Sequence, residues 1–260
     1  TGEGKIAAEI KDIRFSPKED DNPEWDATIT SFSAKDFRLD SLGKTRGSFV
    51  MNSAALKNLS LSSSTIIKLQ DLAAANPSFQ LRDFTGHYYT AATRLQWYNA
   101  GFNRSNNMFT LDSFSYRPAM EIDSFLATKK FQTDYLKAGT GALQIGPVNI
   151  DKFIRDTILQ IRSARIDKAY LVDHKDKNLP FNGGLIKPLP VNLLRKIPVR
   201  LDVDSVQLTN ASVVYTEVSD KTKVAGTIPV MRMTVTLLNV KNHNPGIKDS
   251  LRIKATGYLL

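Results

Sequence analysis

The stretch that decides the fold is Leu201-Asp202-Val203-Asp204-Ser205-Val206-Gln207-Leu208. Apolar and polar side chains alternate on both sides of Ser205, which is the two-residue period of a strand with one buried face. The apolar residues before the serine are odd-numbered and those after it are even-numbered. In a regular strand this change of phase would turn half of them to the wrong face, unless a β-bulge or a sharp bend absorbs the extra residue.

The same apolar pattern recurs along most of the chain, each time centred on a serine. The copies surround Ser31, Ser53, Ser113, Ser163 and Ser205. The last four serines are 60, 50 and 42 residues apart, which argues against a solenoid of fixed period and is typical of antiparallel strands with loops of unequal length. Because recurrent bends curve a sheet, we expect a mostly β fold with a strongly curved, antiparallel sheet.

Two segments have helical rather than strand-like spacing. One runs from Ser64 to Ala75, where serines offer N-caps and Asn76-Pro77 offers a stop, and we expect about three turns there. The other is a shorter helix from Asn149 to Arg155. Between and beyond them the alternation predicts further strands, and those after residue 199 are expected to form a β meander.

Three more strand boundaries follow from the alternation and the turn residues. Tyr88 to Tyr98 reads as a single strand, followed by a loop from Asn99 to Asn107. Val199 to Leu208 and Ala211 to Val218 read as two separate strands.

Composition indicates a globular protein without a membrane span. The 260 residues are 42% hydrophobic and 23% charged, and no stretch reaches the 18 or more apolar residues of a spanning helix. The net charge of +9 is concentrated in a proline-containing stretch. Its cations are Lys175, Lys177, Lys187, Arg195, Lys196 and Arg200. We interpret this stretch as a solvated loop and expect no nucleic-acid partner.

Residues that carry chemistry are few, and each has a structural explanation. The chain has no cysteine, and His87, His174 and His243 are too far apart in sequence for a zinc-like motif. Gly139-Thr140-Gly141 lacks the third glycine of a dinucleotide loop and reads as a turn. We therefore expect no enzyme activity, no metal and no cofactor.

Three carboxylates could suggest a glycosidase, because these enzymes use a pair of carboxylates as catalytic groups. Asp112 and Asp204 hold the same place in their copies, and Asp202 shares a strand with Asp204. All three alternate with apolar residues. We therefore expect them on a solvated outer face and not in a catalytic pair.

From about residue 108 onward the chain resembles the AsmA-like proteins of Gram-negative envelopes, especially the long versions in Bacteroidetes. The resemblance is carried by the run from Ile197 to Glu217 with its Asn210-Ala211 pair, and by the glycine-led strand Gly226 to Val230. Gly146 to Asp151 and the strand pair Ile161 to Val172 also resemble a unit of these proteins. The similarity extends from about residue 108 to 260.

This resemblance implies a membrane-anchored periplasmic protein whose β units form a long, U-shaped sheet with an apolar trough. Such a protein is similar to the bridge-like lipid transfer proteins with repeating β-groove units. Such proteins are thought to carry phospholipid between the inner and outer membranes, or to support outer-membrane assembly. The resemblance implies no catalytic residue. The sequence does not begin with methionine and stops at Leu260 within what reads as a strand, so we expect a piece of a longer protein whose anchor to the inner membrane lies outside this chain.

The expected ligand is a phospholipid or another acyl-chain lipid on the apolar inner face of the sheet. The expected lining residues are Phe109, Leu111, Leu159, Ile161, Leu201 and Val203. Leu111, Ile161 and Val203 hold the same place in three copies and are expected to share one surface. We expect β units with one helix over 1–107 and the AsmA-like units over 108–260, within one continuous sheet.

Two other architectures use the same apolar residues. A closed β-sandwich would bury them as a dry core and would suit a structural or adhesive module of an envelope or surface protein. A closed barrel would hold a whole lipid instead of passing it along.

Overall fold

The computed structural model describes residues 2–16, 24–42, 47–66, 68–183, 190–243 and 250–259. The strands are β1 (Gly2–Ser16), β2 (Glu24–Leu42), β3 (Gly47–Ser62), β4 (Gln80–Tyr89), β5 (Thr93–Asn103), β6 (Met108–Leu111), β7 (Ser113–Pro118), β8 (Asp134–Thr140), β9 (Leu143–Val148), β10 (Ile158–Asp167), β11 (Tyr170–Asp176), β12 (Arg200–Val218), β13 (Ala225–Lys241) and β14 (Arg252–Leu259). The helices are α1 (Leu69–Ala75), α2 (Ile122–Ala127), α3 (Ile150–Asp156) and α4 (Pro190–Arg195).

All of these strands belong to one large curved sheet, as the alternating pattern predicts. β1 to β5 pair in chain order. β6 and β7 lie end to end, and both pair with β5. On one side β9 pairs with β6 and β10 pairs with β9. On the other side β8 pairs with β7 and β11 pairs with β8. β12 pairs with both β10 and β11, and β13 and β14 complete the sheet. The sheet therefore has eleven strand positions and crosses residue 107 without a break.

Each of the five serines lies beside an interruption in strand pairing. The register of β3 with β4 shifts on both sides of Ser53, and β6 ends just before Ser113. Beside Ser163 and Ser205 the ladder skips Arg162 and Asp204 and resumes in the same register. Beside Ser31 the ladder of β2 with β3 skips one residue on each strand. The phase change read from the sequence is thus absorbed by irregular residues, as expected.

A second irregularity follows each serine by five residues in four of the copies. The residues there are Asp36, Asn58, Lys168 and Asn210, with φ angles of 53°, 57°, 54° and 53°. Asparagine and aspartate tolerate this left-handed conformation better than most residues. Asn210 makes a bulge within β12, so Val199–Leu208 and Ala211–Val218 are parts of one 19-residue strand and not two.

The sheet is mixed, whereas the sequence pattern predicts antiparallel pairing throughout. β12 runs parallel to both β10 and β11. The reason is the segment 177–199, which is long enough to return the chain to the other end of the sheet as a crossover. The strands after residue 199 are therefore not a simple meander; only β12, β13 and β14 pair in this way.

The two predicted helices are present, with α1 shorter than expected. The Ser62 hydroxyl accepts a hydrogen bond from the Thr65 N–H at 3.1 Å, so the serines cap a turn and α1 begins only at Leu69. α3 begins after Asn149, whose side chain caps the Lys152 N–H at 2.9 Å. The short helices α2 and α4 are not anticipated by the sequence pattern.

The connection between β4 and β5 also differs from the expectation. The Thr90 hydroxyl accepts hydrogen bonds from Ala92 and Thr93, which closes a hairpin in the middle of the predicted strand Tyr88 to Tyr98. The predicted loop from Asn99 to Asn107 also differs, because its residues as far as Asn103 belong to β5. Asn99 forms a bulge within this strand and not a turn.

The fold is open and has little buried interior. Its accessible surface is 17104 Å², whereas a compact protein of 29.0 kDa exposes about 11,000 Å². Among the described residues no side chain is less than 2% exposed. One sheet without a second layer across its whole face accounts for this excess.

Candidate functional site: the apolar face of the sheet

Strand pairing aligns apolar side chains into rows that cross the sheet. Directly paired residues on neighbouring strands point to the same face. The first apolar row is Phe32, Leu56, Leu81, Phe102, Phe109, Ile145, Ala164, Val206, Leu237 and Ile253, each paired with the next. No polar side chain interrupts the row between Phe32 and Ile253.

A second apolar row crosses the sheet on the other side of the line of bulges. Its members are Leu39, Phe49, Tyr88, Leu95, Tyr116, Ala138, Leu171, Val213, Val230 and Leu259, again paired in order. All but Leu259 are half-buried and Leu259 is 72% exposed. We call the surface formed by the two rows and the residues between them the apolar face.

Aromatic rings join the two rows on one face. Trp97 stacks on Phe49 with ring centroids 5.6 Å apart and packs against Phe84 at 5.4 Å. Gly86 lies on the strand between Phe49 and Trp97, and a Cβ there would come within 2.7 Å of the Trp97 ring. The indole therefore lies across the glycine, which keeps the apolar face continuous between the rows.

Four of the predicted lining residues meet in one cluster. Ile161 and Val203 are directly paired and pack with Val148 and Val240, all less than 9% exposed. Leu159 and Leu201 pack against this cluster, as do Ile150 of α3 and Leu194 of α4. This end of the apolar face is covered by helices.

The other two predicted lining residues lie further along the same face. Phe109 belongs to the first apolar row, and Leu111 is 7% exposed and pairs with Leu143. Leu111 is level with Ile166 and not with Ile161, because Leu143 pairs with Ile166. Equivalent positions of the copies therefore lie at different heights along the strands, although Leu111, Ile161 and Val203 all lie on the apolar face.

A cavity lies between α1, α3 and the apolar face. Its volume is about 310 Å³ and its walls are almost entirely apolar, with Leu72 of α1, Phe102 of the first row and Phe153 of α3. Arg104, in the loop after β5, is its one charged wall residue.

Beside the first apolar row, the opposite face of the sheet is polar. Six successive strand positions there carry Thr110, Gln144, Arg165, Gln207, Thr236 and Lys254. Asp204 and Asp112 are exposed, as expected. Asp202 is only 8% exposed and lies 3.5 Å from the Lys241 ammonium, so the expectation of a solvated carboxylate is wrong there.

Polar groups border the apolar face beyond the second row. The Tyr215 hydroxyl donates to Glu217 at 2.6 Å, and Glu217 also pairs with Lys177 at 2.6 Å. The bond to Glu217 raises the pKa of Tyr215 to about 12, and Lys177 and Tyr215 together lower the pKa of Glu217. An amphiphile has an apolar tail and a polar or charged head group. An apolar surface with charged groups along its border can contact both parts.

The sequence analysis missed the aromatic part of this face. Phe49, Phe84, Tyr88 and Trp97 were not among the predicted lining residues. Three of them belong to the aromatic-rich stretch from Phe79 to Tyr98, which is the signal in the sequence, whereas Phe49 lies outside it. Arg104 had no signal at all, because only the docking of α1 and α3 places it beside an apolar cavity.

No cluster of three or more metal-binding side chains occurs in the described parts of the chain, and no helix there is long and apolar enough to cross a membrane. No family model, no curated protein and no solved structure matches the chain. The apolar face therefore has to be interpreted from its own geometry.

Proposed function

We propose that the apolar face is a lipid-binding groove and that this chain is a segment of a periplasmic AsmA-like protein. In this proposal the protein carries phospholipid along the groove between the inner and outer membranes, or it supports outer-membrane assembly. The observation that carries the proposal is the uninterrupted course of both apolar rows across the sheet. Each acyl CH₂ that leaves water for such a surface gains about 0.8 kcal/mol.

The dimensions suit an elongated apolar ligand. Strands in a sheet lie about 4.8 Å apart, so eleven positions extend for about 48 Å. An acyl chain lying along a row would contact several strands while its head group remained near the polar border. Neither alternative architecture has support in the described residues, because all strands there belong to one sheet and β1 does not pair with β14.

The test uses two adjacent valines that are both half-buried. Val213 lies in the second apolar row, between Leu171 and Val230, and Val214 lies on the opposite face between Val172 and Pro229. We expect Val213→Glu to reduce the phospholipid that co-purifies with the protein, measured by extraction and mass spectrometry, and Val214→Glu to leave it unchanged. Equal lipid content in both variants would refute the groove.

A second readout leaves the apolar face intact. Trp25→Phe makes Trp97 the only tryptophan of the chain, since the sequence has two. Phospholipid with brominated acyl chains should then quench the fluorescence of Trp97, whereas brominated lipid added to Val213→Glu in the same background should quench it less. Unquenched fluorescence in the presence of lipid would count against the proposal.

A further inference from the structure

We propose that the cavity between α1 and α3 binds the acyl chain of a single-chain anionic amphiphile, a fatty acid or a lysophospholipid, and that Arg104 binds its carboxylate or phosphate. This inference rests on the proposed lipid groove and names a site and a ligand class within it.

The cavity walls exclude a polar ligand. Ala73, Phe79 and Ile154 complete the apolar wall. Asn76 also lines the cavity, but its side-chain amide is bonded to the backbone of Ser60 and Leu72 at 2.6 to 2.8 Å. Its polar atoms are satisfied, so only Arg104 offers a free polar group.

The guanidinium of Arg104 has one occupied and one unoccupied side. Nη1 donates to the Asn107 side chain at 2.6 Å. Nη2 lies 3.8 Å from the Asp151 carboxylate, which is beyond hydrogen-bond distance. Nε is buried and has no acceptor among the described residues. Because Nε is closed to solvent, Nη2 is the donor that an incoming anion can reach, and a carboxylate or a phosphate there accepts a charge-assisted hydrogen bond.

The surroundings leave this positive charge weakly compensated. The Arg104 side chain is 19% exposed, whereas its nearest carboxylate, on Asp151, is 86% exposed and strongly solvated. A partly desolvated guanidinium beside an apolar cavity complements an anion that carries an apolar tail.

The volume selects one acyl chain over two. Pockets for small ligands measure about 300 to 1,000 Å³, and the cavity's 310 Å³ is at the lower limit. Phe102 belongs both to the first apolar row and to the cavity wall, so the cavity adjoins the groove.

The experiment compares three ligands on the whole chain by isothermal titration: oleate, oleoyl-lysophosphatidate and the uncharged 1-monooleoylglycerol. We expect the two anions to bind about tenfold more tightly than the uncharged lipid, the scale of one charge-assisted hydrogen bond. Arg104→Gln should abolish this preference for anions, and Arg104→Lys, which keeps the positive charge, should retain part of it. Tighter binding of oleate would identify a carboxylate ligand and tighter binding of lysophosphatidate a phosphate.

Two further variants separate the site from the rest of the groove. Ala73→Phe should fill the cavity and weaken binding of all three ligands, whereas Arg165→Gln, on the polar face, should change none. If Arg104→Gln keeps the preference for anions, or Ala73→Phe binds as the wild type does, this site is refuted. In that case continued quenching of Trp97 by brominated phospholipid would leave the groove standing, and loss of binding for every lipid would refute both.

Discussion

Single residues with unusual backbone angles determine where the strands bend. Asn210 is an example, since its left-handed conformation coincides with the bulge of β12. Its side-chain amide donates to the Asp167 carboxylate at 3.0 Å, and the Thr209 hydroxyl donates to the same oxygen. These two bonds lower the pKa of Asp167. The bulge is thus fixed both by backbone preference and by a bond to the neighbouring strand.

Replacing Asn210 should reveal both contributions. Asn210→Ala should destabilise the protein by about 1 to 2 kcal/mol, because a Cβ-bearing residue without a local hydrogen bond is unfavourable at positive φ. Asn210→Gly should cost less, because glycine accepts the angle and only the bond to Asp167 is lost. Urea unfolding followed by circular dichroism measures both differences. Equal stability of the alanine and glycine variants would contradict the assignment.

The bond to Asp167 also predicts a dependence on pH. A carboxylate whose pKa is lowered in the folded state stabilises the protein above its unfolded pKa, near 3.9, and this stability is lost as the pH falls through the folded pKa. The difference between wild type and Asn210→Gly should therefore be present at pH 7 and shrink in acid below pH 4. A difference that stays constant would show that the bond contributes nothing.

Strands, at the scale of elements, are the part of the fold that the sequence predicts best. The change of phase at Ser53 and Ser205 depends only on local alternation, and the pairing irregularities lie beside those serines. The helix near Asn149 is also local, because its cap and its apolar spacing are both visible in the chain. The existence of an apolar face could be read in the same way.

What could not be predicted depends on contacts between distant segments. The parallel pairing of β12 with β10 depends on the end of the sheet at which β12 begins after β11, and a strand pattern does not contain that information. The burial of Asp202 depends on Lys241, 39 residues later in the chain on the next strand. The cavity at Arg104 likewise requires α1 and α3 to meet on the sheet.

The whole molecule has two free sheet edges in the part that the structure describes. β14 pairs only with β13, and all its residues are exposed. Ile253, Tyr258 and Leu259 are 64%, 65% and 72% exposed. An exposed edge of this kind favours pairing with another strand, although Arg252 and Lys254 add charge that opposes it.

We expect the chain to self-associate through β14 as its concentration rises. Consecutive backbone N–H groups of a strand point to opposite edges, so one of the N–H groups of Ala255 and Thr256 faces β13 and the other faces the free edge. Proline at the position whose N–H faces the free edge removes a donor only from that edge. That variant should stay folded and monomeric in sedimentation experiments at concentrations where the wild type associates. A wild type that remains monomeric at every concentration would contradict the prediction.

The large accessible surface of the open sheet has a calorimetric consequence. An unfolded chain of 29.0 kDa exposes about 42,000 Å², so unfolding from 17104 Å² exposes about four fifths of the area that a compact protein would expose. Heat capacity changes scale with that area, and a compact chain of 260 residues would show roughly 3 to 4 kcal/mol/K. Scanning calorimetry of the lipid-free protein should give about a fifth less. With lipid on the apolar face the value should rise towards the compact one, because unfolding then also returns the covered apolar surface to water.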